Sequence, residues 1–251
     1  MRSYFSFQWH ITDECDQRCK HCYIFSGEGC KELKSMTWQQ MQEVVANCED
    51  FCKVYNRVPY FYITGGDPIL HPDFWKLMVL LKSKDIPFTL MGNPFHLDDQ
   101  ICRMLKVCGC EKYQMSLDGM RETHDWFRKP GSFDLTLEKV GCLNRAGIKS
   151  IIMSTVSKTN MEEIPDIIDA VVKAKVKVYA FSRYETVIAA HFGQYVRMIR
   201  ITGNFLKYVM QNIKHMRKRD ARLILIKKII YGLYMNMRKV NLSCLIMCRQ
   251  E

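Results

Sequence analysis

The sequence predicts an α/β chain: a partial (β/α)6 TIM-like barrel with an atypical basic helical C-terminal tail. Three observations carry that reading. Strand-like and helix-like segments alternate from the start to about residue 183. Glycine, asparagine and aspartate cluster where the strand-like segments end. After about Tyr184 the composition changes abruptly. Repeated strand–helix units build a parallel sheet with crossover helices, and such barrels carry their chemistry on loops at the C-terminal strand ends.

Each element follows from its residues. Phe5–Ile11 alternates aromatic and polar residues, as a strand does, and runs into a cysteine-rich loop. Thr37 through Phe51 has helical spacing, with Thr37 as N-cap. Tyr60–Thr64 is an aromatic and β-branched strand, followed by a helix over His71–Ser83. A third strand, Phe88–Met91, stops at Gly92-Asn93-Pro94, and Leu97–Val107 is helical. Lys112–Leu117 makes a fourth strand that ends in Asp118-Gly119. Ser132–Ala146 is helical, Ser150–Val156 a fifth strand and Met161–Ala174 a further helix. Val176–Ser182 completes the set as a sixth strand.

Composition bounds the function. A chain of 251 residues with 48% hydrophobic content buries one sizeable core. No stretch reaches the roughly 18 uninterrupted apolar residues of a membrane span, and Met1-Arg2-Ser3-Tyr4-Phe5 lacks a signal-peptide core. Twelve cysteines in a chain of this length read as metal-binding or buried thiols in a reducing cytoplasm. The net charge of +11 suggests nucleic acid until it is located. Residues 185–251 hold 13 Lys+Arg against 3 Asp+Glu, and the first 184 hold 24 against 23. The excess belongs to the tail, so nucleic acid is not an expected partner of the core.

Cys15, Cys19 and Cys22 stand as Cys-x3-Cys-x2-Cys just after the first strand. Three thiolates in one loop leave the fourth position of a metal centre without a ligand from the run. The competing reading is structural zinc with His21 or His10 as fourth ligand, but zinc sites usually pair two short knuckles. The nearest second knuckle, Cys48-x3-Cys52, lies on a helical face where thiols usually pack. About forty residues on, Tyr60-Phe61-Tyr62-Ile63-Thr64-Gly65-Gly66-Asp67-Pro68 is a strand opening into a glycine loop, where backbone approaches something closely.

The string Trp9 to Tyr23, with an aromatic directly after the third cysteine, resembles the cluster loop of radical S-adenosylmethionine (radical SAM) enzymes. Gly65-Gly66-Asp67-Pro68 resembles their Gly-Gly-Glu-Pro segment, with Asp67 in place of the commoner glutamate. Ser116-Leu117-Asp118-Gly119 resembles the Ser-x-Asp-Gly segment of the peptide maturases in that family, although alone it is also an ordinary strand ending in an Asp-Gly turn. His124 to Phe133 resembles their substrate-side loop, in which Arg128 either pairs an anion or sits in solvent.

The resemblance implies a [4Fe-4S] cluster on Cys15, Cys19 and Cys22 and S-adenosyl-L-methionine on the open iron. Reductive cleavage of the sulfonium then yields a 5′-deoxyadenosyl radical that abstracts hydrogen from substrate. It also implies cofactor contacts from Tyr23, Gly65, Gly66, Asp67, Pro68, Asn93, Ser116, Asp118 and Arg183. No further catalytic residue is implied. The implied partners are a ribosomal precursor peptide and a reductant such as flavodoxin or ferredoxin; a small molecule is the alternative substrate.

The resemblance covers about residues 4–184, giving a core domain of 1–184 and a tail of 185–251. Maturases of this kind normally continue into a cysteine-rich SPASM domain, and the tail has only Cys244 and Cys248. The tail reads as a basic amphipathic helix pair over 205–219 and 223–237, as a solvated helical appendage, or as an out-of-frame translation. The last explains most. Acid codons begin GA, and read one base late they begin with A and encode Lys, Arg, Asn, Ser, Thr, Ile or Met. Regrouped one base upstream, 229–241 admits a string similar to the segment before the SPASM cysteines.

Overall fold

The computed structural model describes residues 3–25, 32–183 and 245–248. Six parallel strands follow one another across one sheet: β1 (Tyr4–His10), β2 (Val58–Thr64), β3 (Phe88–Met91), β4 (Cys110–Ser116), β5 (Lys149–Val156) and β6 (Val178–Arg183). Their sequential order is that of an open half-barrel. A short strand, β7 (Leu245–Cys248), pairs antiparallel along the outer edge of β1. The one described piece of the tail is therefore a strand, and the helices expected over 205–219 and 223–237 lie outside the described residues.

The helices are α1 (Trp38–Val54), α2 (Phe74–Ser83), α3 (Asp99–Val107), α4 (Arg121–Phe127), α5 (Ser132–Arg145) and α6 (Ile164–Lys173). Thr37 starts α1 through a capping box: Gln40 N–H donates to Thr37 Oγ1 at 3.2 Å, and Thr37 N–H donates to Gln40 Oε1 at 2.8 Å. Its buried stripe is Met41, Val45, Cys48 and Cys52, so the second cysteine pair packs into the core. On α6, Ile164, Ile167, Ile168 and Val171 repeat the same helical spacing. Each such side chain contributes about 1.5–3 kcal/mol on leaving water.

Side chains on a strand alternate between faces. Phe7, Trp9, Phe61, Ile63, Phe88 and Leu90 join the helix stripes in a single core. The in-register positions Gln8, Tyr62, Thr89 and Lys112 occupy the opposite, polar face of the sheet. Helix α4 was not expected from the sequence: only His124 and Phe127 of its seven residues are buried, so no apolar period marks it. Among the described residues, no helix is long and apolar enough to cross a membrane.

Candidate functional site

The cysteine loop leaves β1 at His10 and is fixed by the backbone of the loop after β2. Ile11 N–H donates to the Thr64 carbonyl at 3.0 Å, and Gly66 N–H to the Thr12 carbonyl at 2.7 Å. Asp67 N–H donates to the Glu14 carbonyl at 2.7 Å. This contact explains the two glycines. A Cβ on Gly65 would run into the Thr12 carbonyl, and one on Gly66 would run into the Glu14 carbonyl with the Asp13 carbonyl at 2.6 Å. The close approach anticipated at Gly65-Gly66 is thus to the chain's own residues 12–14, immediately before Cys15.

Cys15, Cys19 and Cys22 are half-buried free thiols. Burial pushes the Cys15 thiol up to about 11, and Cys19 is also raised by burial, with Arg128 opposing. These sulfurs would hold a metal as thiolates, since a coordinating thiol gives up its proton. The loop carries further anchors. Asn93 Nδ2 donates to Asp16 Oδ1 at 2.8 Å and lies 3.9 Å from Cys15 Sγ, and the Asn93 carbonyl accepts from the Tyr113 hydroxyl at 3.1 Å. Tyr23 is half exposed, its hydroxyl 3.1 Å from His10 Nδ1, while His10 Nε2 is 2.8 Å from Asp13 Oδ1.

Two buried aspartates face this loop from neighbouring strand ends. Asp67 is fully buried, and neither carboxylate oxygen meets a donor at hydrogen-bond distance and angle. Burial first, and then the charge of Asp16, raise its pKa to about 7, with the Ile69 and Asn93 amides pulling the other way. Asp118 is equally buried but served on every side. Arg128 Nε donates to its Oδ2 at 2.5 Å and Thr155 N–H to its Oδ1 at 2.8 Å. Burial would raise its pKa, but Arg128 foremost, with the Thr155 amide, brings it below the usual carboxylate range. His21 Nε2 lies 3.4 Å from Asp118 Oδ2, and burial lowers the His21 pKa to about 4, so this imidazole is neutral at pH 7. The neighbouring His124 is likewise held down to about 4 by burial, and its Nδ1 accepts from the Asp118 N–H at 3.0 Å.

The expected site residues separate into two groups. Cys15, Cys19, Cys22, Gly65, Gly66, Asp67, Pro68 and Asn93 gather around one loop at the ends of β1, β2 and β3. Ser116 ends β4, half-buried. Asp118 lies just beyond it, and its carboxylate is already taken up by Arg128 and Thr155. Arg183 ends β6, and its side chain lies outside the described residues. In the segment expected on the substrate side, His124 and Phe127 are buried while Trp126 is exposed. Asp125 accepts from the N–H groups of Gly131 (2.7 Å) and Phe133 (2.9 Å), capping α5, while His124 and Arg128 reach Asp118.

These residues fit a cluster better than zinc. His21 and His10, the candidate fourth zinc ligands, are engaged with the Asp118–Arg128 pair and with Asp13 and Tyr23. Tetrahedral zinc at about 2.3 Å from each sulfur would draw its thiolates to roughly 4 Å of one another. Among the described residues, the His, Cys, Asp and Glu set whose donor atoms all fall within 4.8 Å is instead Asp16, Asp67 and His96.

Residues 9–171 match the radical SAM superfamily. The chain is 28% identical over 174 residues to the Fe-coproporphyrin III synthase of Methanosarcina barkeri, covering 69% of this chain and 42% of that protein. It is 28% identical over 162 residues to the sporulation killing factor maturation protein SkfB of Bacillus subtilis, covering 63% of this chain and 37% of that one. The chain thus spans about two fifths of the length of these relatives. Streptococcus suis SuiB, in its complex with precursor peptide SuiA, superposes with a TM-score of 0.68 at 16% identity, over 90% of this chain and 49% of that one; that likeness shows the shared fold. The family implies an iron–sulfur cluster and S-adenosylmethionine, and the match includes the cysteine loop and the glycine segment that clasps it. The chain belongs to the radical SAM superfamily.

Proposed function

We propose that this protein is a radical SAM enzyme that binds a [4Fe-4S] cluster through Cys15, Cys19 and Cys22 and acts on a ribosomal precursor peptide. The observation that carries the reading is the clasp: the loop bearing three free thiols is seated by Gly65-Gly66-Asp67 with no room for a Cβ. When bound, the cluster and S-adenosylmethionine supply reductive sulfonium cleavage and a carbon-centred radical; such cofactors carry the hard chemistry and the protein orients them. Asn93 and Asp67 brace the first cysteine from β3 and β2, and Arg128 backs the second.

The likeness to SkfB and to the SuiB fold supports the peptide substrate. Flavodoxin or ferredoxin is the proposed electron donor, because the cleavage needs one low-potential electron. The likeness to Fe-coproporphyrin III synthase supports a second reading, a small-molecule substrate of the tetrapyrrole class. We also infer that the core ends near residue 184 and that the chain is read out of frame from a point between 184 and 200 onward; DNA sequencing across the codons for 175–251 decides this by the second frame, which should be acidic and open.

Anaerobic reconstitution tests the main reading. The expected result is about four irons per chain and release of 5′-deoxyadenosine from S-adenosylmethionine under reduction. A zinc-loaded, iron-free protein after that treatment would overturn it. Incubation with a peptide encoded beside the gene, and separately with a porphyrin, separates the two substrate readings.

A further inference from the structure

The residue after α4 does more than close a turn. Arg128 directs its side chain back beneath the cysteine loop, where it is 14% exposed. Its Nη1 donates to Cys19 Sγ at 3.6 Å, its Nε to Asp118 Oδ2 at 2.5 Å, and its Nη2 lies 3.4 Å from His21 Nε2. Asp118 is held from behind by the Thr155 amide, so the guanidinium cannot swing away from the sulfur without leaving its carboxylate. The loop and α4 are tied again by Lys20 N–H, which donates to the Phe127 carbonyl at 2.8 Å. A guanidinium is planar, permanently charged and carries five donors, so one edge can serve a carboxylate while another serves a second acceptor.

The pair is therefore a fixed dipole with its positive end on Cys19. We infer that Arg128, clamped by Asp118, is a positioning residue that raises the reduction potential of the cluster on Cys15, Cys19 and Cys22. The inference rests on the proposed function. Reduction takes one electron from a low-potential donor and adds one negative charge to the cluster. A cation and a hydrogen bond already aimed at a ligand sulfur stabilise that added charge, and hydrogen bonding to sulfur is one of the levers that set cluster potentials. Because the guanidinium keeps its proton across the working pH range, Arg128 itself takes up and releases no proton as the electron arrives.

The test compares wild type with Arg128→Lys, Arg128→Met and the neutral pair Arg128→Met/Asp118→Asn. The double substitution guards against misfolding, since it leaves no buried carboxylate alone. Each is reconstituted anaerobically and assayed for iron and for midpoint potential by dithionite titration followed by electron paramagnetic resonance. The expected result is a wild-type iron count with reduction disfavoured about tenfold in the neutral pair, or about 59 mV for a one-electron couple. Arg128→Lys should fall between. An unchanged potential in an iron-replete neutral pair would overturn the inference and leave the proposed function standing. Loss of iron in the neutral pair, with Arg128→Lys at wild-type potential, would also overturn it, because support of the loop alone would then account for Arg128. If wild type takes up no iron, the proposed function fails first and takes this inference with it.

Discussion

Asp67 and Asp118 are the same residue at similar stations, just past the ends of β2 and β4, and both are fully buried. Their titrations move in opposite directions, Asp67 up to about 7 and Asp118 below its ordinary range. The difference is the company each keeps. Asp118 has a guanidinium at 2.5 Å and a backbone amide at 2.8 Å, whereas Asp67 has the carboxylate of Asp16 nearby and only the backbone amides of Ile69 and Asn93 to oppose it. Burial by itself disfavours a carboxylate, and one well-placed cation reverses the sign. The loop after β4 is thereby an assembled charge network, while the loop after β2 is a backbone clasp that holds an acid whose proton affinity is raised.

The contrast can be broken most strongly at Arg128. Arg128→Met strands Asp118 as a buried, unpaired charge and should cost about 3–5 kcal/mol in urea unfolding of the metal-free protein. Adding Asp118→Asn should return most of that loss. An Arg128→Met protein as stable as wild type would show that the pair contributes nothing.

The next largest effect is the pH dependence owed to Asp67. Its folded pKa lies above its unfolded value, so the folded state holds the proton more tightly. Stability from this group is fully present below about pH 4 and declines as pH rises through about 7. Every tenfold difference in proton affinity between the folded and unfolded chain is worth about 1.4 kcal/mol, giving a decline on the order of 4 kcal/mol as an upper limit. Asp67→Asn should flatten the melting temperature between pH 5 and 8 and raise it at pH 8. Asp118 carries the opposite sign: its folded pKa is depressed, so its contribution is present above about pH 4 and is lost as pH falls further.

The clasp gives a smaller, steric prediction. Gly66→Ala forces a methyl against the Glu14 and Asp13 carbonyls, and should cost about 1–3 kcal/mol and reduce iron uptake. In contrast, Gly141→Ala within α5 meets only the flexible end of Arg145 at 3.3 Å, and should gain up to about 1 kcal/mol. At the low end, Thr37→Ala removes one capping oxygen from α1 and should cost about 1 kcal/mol by thermal melting, without touching iron content.

The same contrast explains what the sequence disclosed. The loop after β2 and the cysteine loop it clasps after β1 were legible because their information is local: an aromatic and β-branched strand, two glycines that admit close backbone approach, and three cysteines at fixed spacing. The six parallel strands and five of the helices were legible for the same reason, since Ile164, Ile167, Ile168 and Val171 announce a buried face by spacing alone, whereas β7 was not expected. The network around Asp118 was not. Arg128 and Cys19 lie 109 positions apart, and nothing in the composition of His124–Phe133 says that its histidine and arginine point inward. Helix α4 was hidden because it buries only His124 and Phe127 and so shows no apolar stripe. Asp118 was expected to contact cofactor, and the pattern that suggested it is silent on the partner that occupies its carboxylate.

A cluster with three protein thiolates and one iron open to ligand is the centre of the proposed function. The most direct measurement is the electron paramagnetic resonance spectrum of the reconstituted, reduced protein before and after S-adenosylmethionine is added. A reduced [4Fe-4S] signal whose g-values shift on addition, and which disappears in Cys15→Ala, Cys19→Ala and Cys22→Ala, is the predicted result. A signal indifferent to S-adenosylmethionine, or one that survives loss of any of the three cysteines, would contradict it.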